Sequence, residues 1–333
     1  MILETERLLL RPWRESDAES LYLYAKDDRV GPIAGWPPHT SVENSREIIN
    51  TVLLALENYA VCLKGDDRAI GSIGLMIGKQ SNIDLSDTEA EIGYWIGAPF
   101  WGYGLIPEAT RELIRHAFVD LHLKTLWCGY FDGNEKSKRV QEKCGFKYHH
   151  TRKNVYRALM DDIRTEYITR LTQDEWKDSF IIRRCRQQEI PAIADLALKV
   201  YTEFDAPYDS PEGIEEFTRL LDDEKLMSEL NYYGAFEGDR LIGEAAVHPA
   251  DVHICLFFVH GGYHHLGVGR RLFMYLQYDY LNQEITLNSS SYALPFYKAL
   301  GFKETGEEFV DNGIRKTPMS YERSSEPKSY LKQ

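Results

Sequence analysis

The feature that most constrains this chain is a duplication: one succession of elements is written twice along its 333 residues. Leu8-Leu9-Leu10-Arg11-Pro12 opens a strand, and Phe180-Ile181-Ile182-Arg183-Arg184 opens a similar one. Amphipathic helical stretches follow, Ser16 to Ala25 and Glu189 to Val200, with Pro191 tolerated in a first turn. A second helix comes next in each half. Thr40 with Glu43 three positions on reads as a capping box for one, and Ser210-Pro211 as cap and first residue of the other. Two hairpins then turn at Gly65-Asp66-Asp67 and at Gly238-Asp239. Each half closes with a strand, a glycine turn, a helix, a short strand, a short helix and a Gly-Phe pair, Gly145-Phe146 and Gly301-Phe302. Matching Gly71 with Gly243, Gly102 with Gly267 and Gly145 with Gly301 gives offsets of 172, 165 and 156, so the second copy has the shorter loops. Two copies of a whole domain is not a solenoid, which stacks three or more short units. The expected domains are 1–174 and 175–323, joined in the polar stretch from Thr172 to Ser179. The charged end, 324–333, is expected to be a flexible tail.

The glycine turns carry the first chemistry. Glu91-Ile92-Gly93-Tyr94-Trp95-Ile96 leads into Trp101-Gly102-Tyr103-Gly104-Leu105-Ile106-Pro107, then a helix with Ala109, Leu113 and Ala117 on one face. Leu256-Phe257-Phe258-Val259-His260 leads into His264-His265-Leu266-Gly267-Val268-Gly269-Arg270-Arg271, then a helix with Val268, Leu272 and Leu276 on one face. Glycine lets backbone approach a bulky anion, and the unpaired N–H groups at the helix start bind phosphate oxygens. A lone Gly-x-Gly is weak; its placement between apolar strand and amphipathic helix, twice, is not. A Rossmann turn is disfavoured, since the third glycine and the acidic strand end about 20 residues on are missing.

Composition narrows the function. A net charge of −13 argues against nucleic acid as a partner, because phosphate backbones need a basic face. It suits a cationic acceptor, although ordinary solubility charge is the simpler reading. Five cysteines without close pairing argue against disulfides and a zinc site and fit a cytoplasmic protein. The pairs His149-His150 and His264-His265 lack helical ligand spacing, so they read as loop residues and no metal is expected. No apolar run reaches the roughly 20 residues of a membrane span, and the N-terminus lacks a signal-peptide pattern.

These residues resemble the GNAT superfamily of acyl-CoA N-acyltransferases over nearly the whole chain. The first half resembles the subfamily that acetylates the N-termini of ribosomal proteins, in Glu6-Arg7-Leu8, Trp101-Gly102-Tyr103-Gly104, Pro107-Glu108-Ala109, and Asn134, Ser137 and Val140 ahead of Gly145-Phe146. The second half resembles a general GNAT domain, in Asn288-Ser289-Ser290, Ala293 and Phe296-Tyr297-Lys298-Ala299-Leu300-Gly301-Phe302. Departures are Ile106, where a small residue is usual, and His264, where Gln or Arg is usual. The fold implied is α/β (α+β): two tandem domains, each a mixed, twisted sheet flanked by helices. Its central strands splay around a pantetheine arm, and a bulge near Gly93 or Val259 would produce that splay.

The resemblance implies direct attack of an amine on acetyl-CoA. It places the coenzyme against Ile96, Trp101, Gly102, Tyr103, Gly104, Leu105, Ile106 and Asn134 in the first half. In the second half the corresponding residues are Phe258, Val259, His264, His265, Leu266, Gly267, Val268, Gly269, Arg270 and Ser290. Tyr297 is the candidate acid of the second half; Gln141 holds its place in the first, where Ser137 would donate instead. Glu91 is the candidate base of the first half, and Glu244 or His253 of the second, unless a water chain serves. The acceptor would be a small-molecule amine or a peptide N-terminus, met by the first two helices of each half. Asp205, Asp209, Glu212, Glu215 and Glu216 cluster there in the second. Alternatives are one catalytic half beside a silent one, or a coenzyme-sensing protein without activity. Nothing in the sequence separates a monomer from a homodimer.

Overall fold

The computed structural model describes residues 1–281 and 283–322; the expected tail, 324–333, lies outside the described residues. Contacts divide the chain into two compact units, Met1–Asp178 and Ser179–Gln333. The polar stretch that was expected to join them is largely a helix, Gln173–Asp178, with Trp176 buried.

The first unit is an eight-stranded sheet: β1 Leu3–Glu4, β2 Leu8–Pro12, β3 Asn58–Leu63, β4 Asp66–Ile77, β5 Glu89–Ile96, β6 Thr125–Phe131, β7 Lys147–Arg157 and β8 Asp162–Thr172. The order is β1-β2-β3-β4-β5-β6-β8-β7. All neighbours are antiparallel except β5 and β6. A parallel pair needs a crossover, and helix α4 lies on it. The helices are α1 Ala18–Ala25, α2 Gly31–Ala34, α3 Val42–Ile48, α4 Leu105–Arg115, α5 Glu135–Lys143 and α6 Gln173–Asp178. Leu21 and Ala25 of α1 pack with Trp13 on Ala60, Cys62 and Ala69 of the sheet. Ala109 and Leu113 of α4, and Ala117 beyond it, are fully buried, as their spacing requires. Burying one such leucine is worth about 1.5–3 kcal/mol. Ser41 caps α3 by accepting the Asn44 amide, in place of the expected Thr40; Ser41 has the extended backbone that a cap requires.

The second unit repeats the plan with β9 Ile181–Arg184, β10 Asn231–Glu237, β11 Arg240–His248, β12 His253–Val259, β13 Ile285–Ser289, β14 Lys303–Glu304, β15 Phe309–Asp311 and β16 Ile314–Tyr321. The order is β14-β16-β13-β12-β11-β10-β9, with β15 against β16. Its helices are α7 Ile190–Phe204, α8 Pro211–Leu221, α9 Glu224–Glu229, α10 Val268–Asp279 and α11 Leu294–Leu300. Ser210 caps α8, as its sequence predicts. Alternation along strands builds two cores. Tyr233 and Ala245 face α10, with Leu272 and Leu276. Tyr232 and Ala246 face α7, with Ile193 and Ala197. No helix among the described residues is long and apolar enough to cross a membrane.

In both units the parallel pair separates. β5 pairs with β6 only from Glu89–Glu91 to Thr125–Trp127, and β12 with β13 only through His253 and Ile254. The strands run on beyond, leaving a gap. The expected bulges lie elsewhere. The β4–β5 register is unbroken through Gly93. The β11–β12 register shifts between Ala246 and Val247, well short of Val259. In the first unit the strands pair briefly and then diverge with the sheet's twist. In the second the shift leaves Cys255 as an extra residue directly after Ile254, the last residue paired with β13, so a bulge marks the point where that gap opens. His149 and His150, read as loop residues, lie in β7, where their Nδ1 atoms approach to 2.8 Å.

Candidate active sites

Each gap ends at a glycine turn, and the two turns are built alike. Gly104 (φ 75°) is the N-cap of α4 and Gly267 (φ 81°) the N-cap of α10, both left-handed. Two residues earlier, Gly102 (φ 86°) corresponds to His265 (φ 61°). Gly104 therefore matches Gly267 at an offset of 163, and the Gly102–Gly267 match expected from spacing alone is two residues out of register. Positive φ decides it, because only residues that tolerate that conformation can occupy the bend. Gly269 serves packing: a Cβ there would lie 2.8 Å from Phe296. A Cβ at Gly102 or Gly267 would meet nothing within 4 Å. Among the described residues, no acceptor is recorded for the N–H groups of Gly102 through Ile106, nor for those of His265 and Gly267 through Arg270. Each set forms a concave cradle for an anion at a helix start.

Residues of the turn between β1 and β2 brace the first cradle. The Arg7 guanidinium donates to the Tyr103 carbonyl at 3.0 Å and to Glu108 at 2.7 Å; Glu108 also accepts the Arg7 amide and the Thr5 hydroxyl. Those donors hold the Glu108 carboxyl below its ordinary range against the opposing effect of its burial. In the second cradle the arginines point away: Arg271 donates to the Phe180 carbonyl, and Arg270 reaches toward that of Ala299.

The ring ahead of each turn caps its strand. Trp101 Nε1–H donates to the Ile96 carbonyl at 3.0 Å, and His264 Nε2 lies 2.7 Å from that of Val259. A carbonyl only accepts, so His264 carries its proton on Nε2, leaving Nδ1 to face the Tyr292 hydroxyl at 3.2 Å. Lys136 sits 3.1 Å from the Trp101 ring centroid, whereas Phe204 and Tyr292 flank His264. A cleft of about 950 Å³ lies beside Trp101, lined by Arg29, Asn134, Lys136 and Arg164 among others.

The donor candidates cluster at the gaps. Asn134 caps α5 through the Ser137 amide. Ser137 Oγ lies 3.0 Å from Tyr94 Oη on β5 and accepts from Gln141 Nε2 at 3.2 Å; Gln141 also donates to the Gly129 carbonyl on β6. Burial raises the Tyr94 phenol well above its ordinary value. In the second unit Tyr297 is buried, its phenol raised first by burial and then by Asp205 and Glu244. Ser290 accepts the Ala293 amide ahead of α11.

The carboxylates divide by depth. Glu91 is buried, accepting from Ser81 Oγ at 2.7 Å and the Asn82 amide at 3.0 Å. Glu166 on β8 reaches over Gly129, where a Cβ would come within 2.9 Å of its Oε1. Its carboxyl is raised by burial, opposed by Arg152 and reinforced by Glu91. Asp205, at the end of α7, is buried with Oδ1 unpartnered among the described residues, and burial pushes its carboxyl up to about 6. Glu244 is fully buried with neither oxygen hydrogen-bonded among the described residues, and burial raises it strongly. His253 bonds Thr286 at the closed, paired end of its gap. Sequence reading missed Tyr94, Glu166 and the Arg7–Glu108 brace. Arg7 and Glu108 stand inside matched motifs; Tyr94 and Glu166 carry no signal in spacing. Among the described residues no cluster of His, Cys, Asp and Glu could hold a metal ion.

Comparison with known proteins agrees with this construction. Two family models match, each described as an Acetyltransferase (GNAT) domain, over residues 7–147 and 205–323. "Uncharacterized N-acetyltransferase p20" of Bacillus licheniformis is 34% identical over 150 residues, 44% of this chain and 82% of its own. "Putative ribosomal N-acetyltransferase YdaF" of Bacillus subtilis is 46% identical over 146 residues, 42% of this chain and 78% of its own. "Uncharacterized N-acetyltransferase YoaA" of the same species is 30% identical over 173 residues, 50% of this chain and 93% of its own.

Proposed function

The chain belongs to the GNAT acetyltransferase family and is an N-acetyltransferase; from that premise we propose that it uses acetyl-CoA in both of its domains, 1–174 and 175–323, to acetylate a primary amine by direct attack. The repeated cradle of free amides at a helix start, each at the end of a strand gap, carries this reading. The pyrophosphate would lie on the amides of Gly102 to Ile106 and on those of His265 and Gly267 to Arg270. The pantetheine arm would run along Ile96 and Asn134 in one unit, and along Phe258, Val259 and Ser290 in the other. Fixing both reactants in register supplies much of the rate.

The amine must lose a proton before it attacks. In the first unit Glu91 is the base, with Glu166 beside it. In the second unit the role falls to Asp205: its raised carboxyl is ionised near neutral pH and still basic, and Oδ1 has no partner to displace. When the tetrahedral intermediate collapses, the carbon–sulfur electron pair goes to sulfur, which takes a proton from Tyr297 in the second unit and from Ser137 in the first. The chain's likeness to a relative named as a putative ribosomal N-acetyltransferase, with the first half's resemblance to that subfamily, favours a peptide N-terminus as the first unit's acceptor. The acidic ends of α7 and α8 favour a small cationic amine in the second. Incubating the chain with acetyl-CoA, peptides of varied N-terminal residue and simple amines, with a thiol-trapping dye, tests the proposal. Thiol release that depends on an amine is expected; folded protein silent across the panel would overturn it.

A further inference from the structure

The two units differ most where a proton is needed. Four residues before the left-handed glycine that ends the short helix, the second unit has Tyr297 and the first has Gln141. In both, that residue's carbonyl accepts from the Phe of the Gly-Phe pair, at 3.0 Å, so the positions correspond. By spacing alone the first unit has lost its phenol. The strand register shows where one returns. Ile73 pairs with Tyr94, and Ala245 pairs with Phe257. Both pairs lie two residues from an equivalent glycine pair, Gly71–Ile96 and Gly243–Val259. Tyr94 and Phe257 therefore correspond. Tyrosine on the strand faces glutamine on the helix in one unit; phenylalanine on the strand faces tyrosine on the helix in the other. The two second-unit rings are in contact, with centroids 6.0 Å apart.

The hydrogen bonds around Ser137 give that exchange a purpose. The Gly129 carbonyl, which can only accept, fixes the Gln141 amide with Nε2 toward it and toward Ser137, and leaves Oε1 to the Thr169 hydroxyl at 2.8 Å. Ser137 Oγ thus accepts from Gln141, and Tyr94 Oη approaches Oγ at 3.0 Å and the Ser137 carbonyl at 3.1 Å. The phenol has one proton for two acceptors, the Ser137 carbonyl and Oγ. When Oγ takes it, the serine hydroxyl is free to give its own proton to a group in the gap, which Ser137 straddles through Tyr94 on β5 and, by way of Gln141, Gly129 on β6. A serine alone is a weak acid; one whose oxygen is held by a phenol can pass on a proton and have it replaced.

We propose that Tyr94 is a positioning residue that orients Ser137 and resupplies its proton, so that the first unit keeps the phenol-driven thiol protonation that Tyr297 provides in the second. This rests on acetyl-CoA lying in the first gap. As the carbon–sulfur bond breaks, sulfur takes the Ser137 Oγ proton, Ser137 takes the Tyr94 proton, and the phenolate recovers one from solvent. Atoms and charge balance without a further reagent.

The test needs no acceptor. In a full-length chain carrying Gly267→Glu, which places a charged side chain in the second cradle, coenzyme A binds the first unit alone, and its thiol is titrated by the ultraviolet absorbance of the thiolate. A hydrogen bond to the charged form favours it. Tyr94→Phe should therefore raise the bound thiol's pKa by about one unit, Ser137→Ala should do the same, and the pair together should do no more. Phenylalanine fits, since Phe257 occupies the corresponding place in the second unit. Tyr94→Phe with Gln141→Tyr, which copies the second unit, should restore the lower value, a rescue that a purely structural role would not give. An unchanged titration in Tyr94→Phe, or additive shifts in the double variant, overturns the proposal while leaving coenzyme binding intact. Failure of coenzyme A to bind the Gly267→Glu chain sinks the coenzyme reading, and this proposal with it.

Discussion

Asp205 shows how one side chain ties stability to chemistry. Burial lifts its carboxyl to about 6, above its value in an unfolded chain, so the folded protein holds a proton that the unfolded chain releases. Stability is then lost as pH rises from about 4 to about 6, by about 3 kcal/mol at most. Asp205→Asn removes that dependence. Its melting temperature should match wild type near pH 4 and exceed it above pH 6, which a pH series of thermal unfolding would check. The same substitution should remove the limb of the second unit's pH–rate profile that rises through pH 6. Tyr297→Phe should lower kcat by about 100-fold with the apparent affinity for acetyl-CoA retained, since general acids contribute roughly 10²–10⁴-fold; steady-state kinetics on a Gly104→Glu chain isolates the second unit. Tyr297 was legible because the Gly301-Phe302 pair fixes its place. Tyr94 and Glu166 were not: the role of Tyr94 depends on strand register and on α5 leaning over the gap, and that of Glu166 on the missing side chain at Gly129.

At the scale of elements, strand, left-handed glycine and helix form the working part. Helix faces such as Ala109, Leu113 and Ala117 were legible from their period, and so were both hairpins. The alignment of the turns was not, because two Gly-x-Gly strings matched letter for letter while their backbones were two residues out of phase. His265 adopts a bend that glycine spacing assigned to Gly267, and Gly269 answers to Phe296. The bulge expected at Gly93 is absent, and in the second unit the bulge lies at Cys255, where pairing with β13 stops, not at Val259. Placing valine at Gly104 or Gly267 should cost roughly 1–2 kcal/mol for the left-handed backbone. It should also block coenzyme at that unit alone, by filling the space where an anion would rest. Thermal melts with and without coenzyme A would separate the two effects: a lower melting temperature, and a ligand-induced rise smaller than in wild type.

At the scale of the whole molecule, the duplication was the most legible property, because it rests on the order of elements and survives drift in loop length. What each copy retains was harder to read. Ile106 and Gln141 pointed to a silent first half, and His264 to a silent second. The structure gives each copy a cradle of free amides at a helix start and a ring N–H on its strand-end carbonyl, from Trp101 in one and His264 in the other. Both copies are therefore expected to hold coenzyme. Calorimetric titration of coenzyme A into the full chain tests this most directly. Two equivalents should bind, with Gly104→Glu and Gly267→Glu each removing one; a single equivalent in the wild-type chain, or none at millimolar ligand, would contradict it.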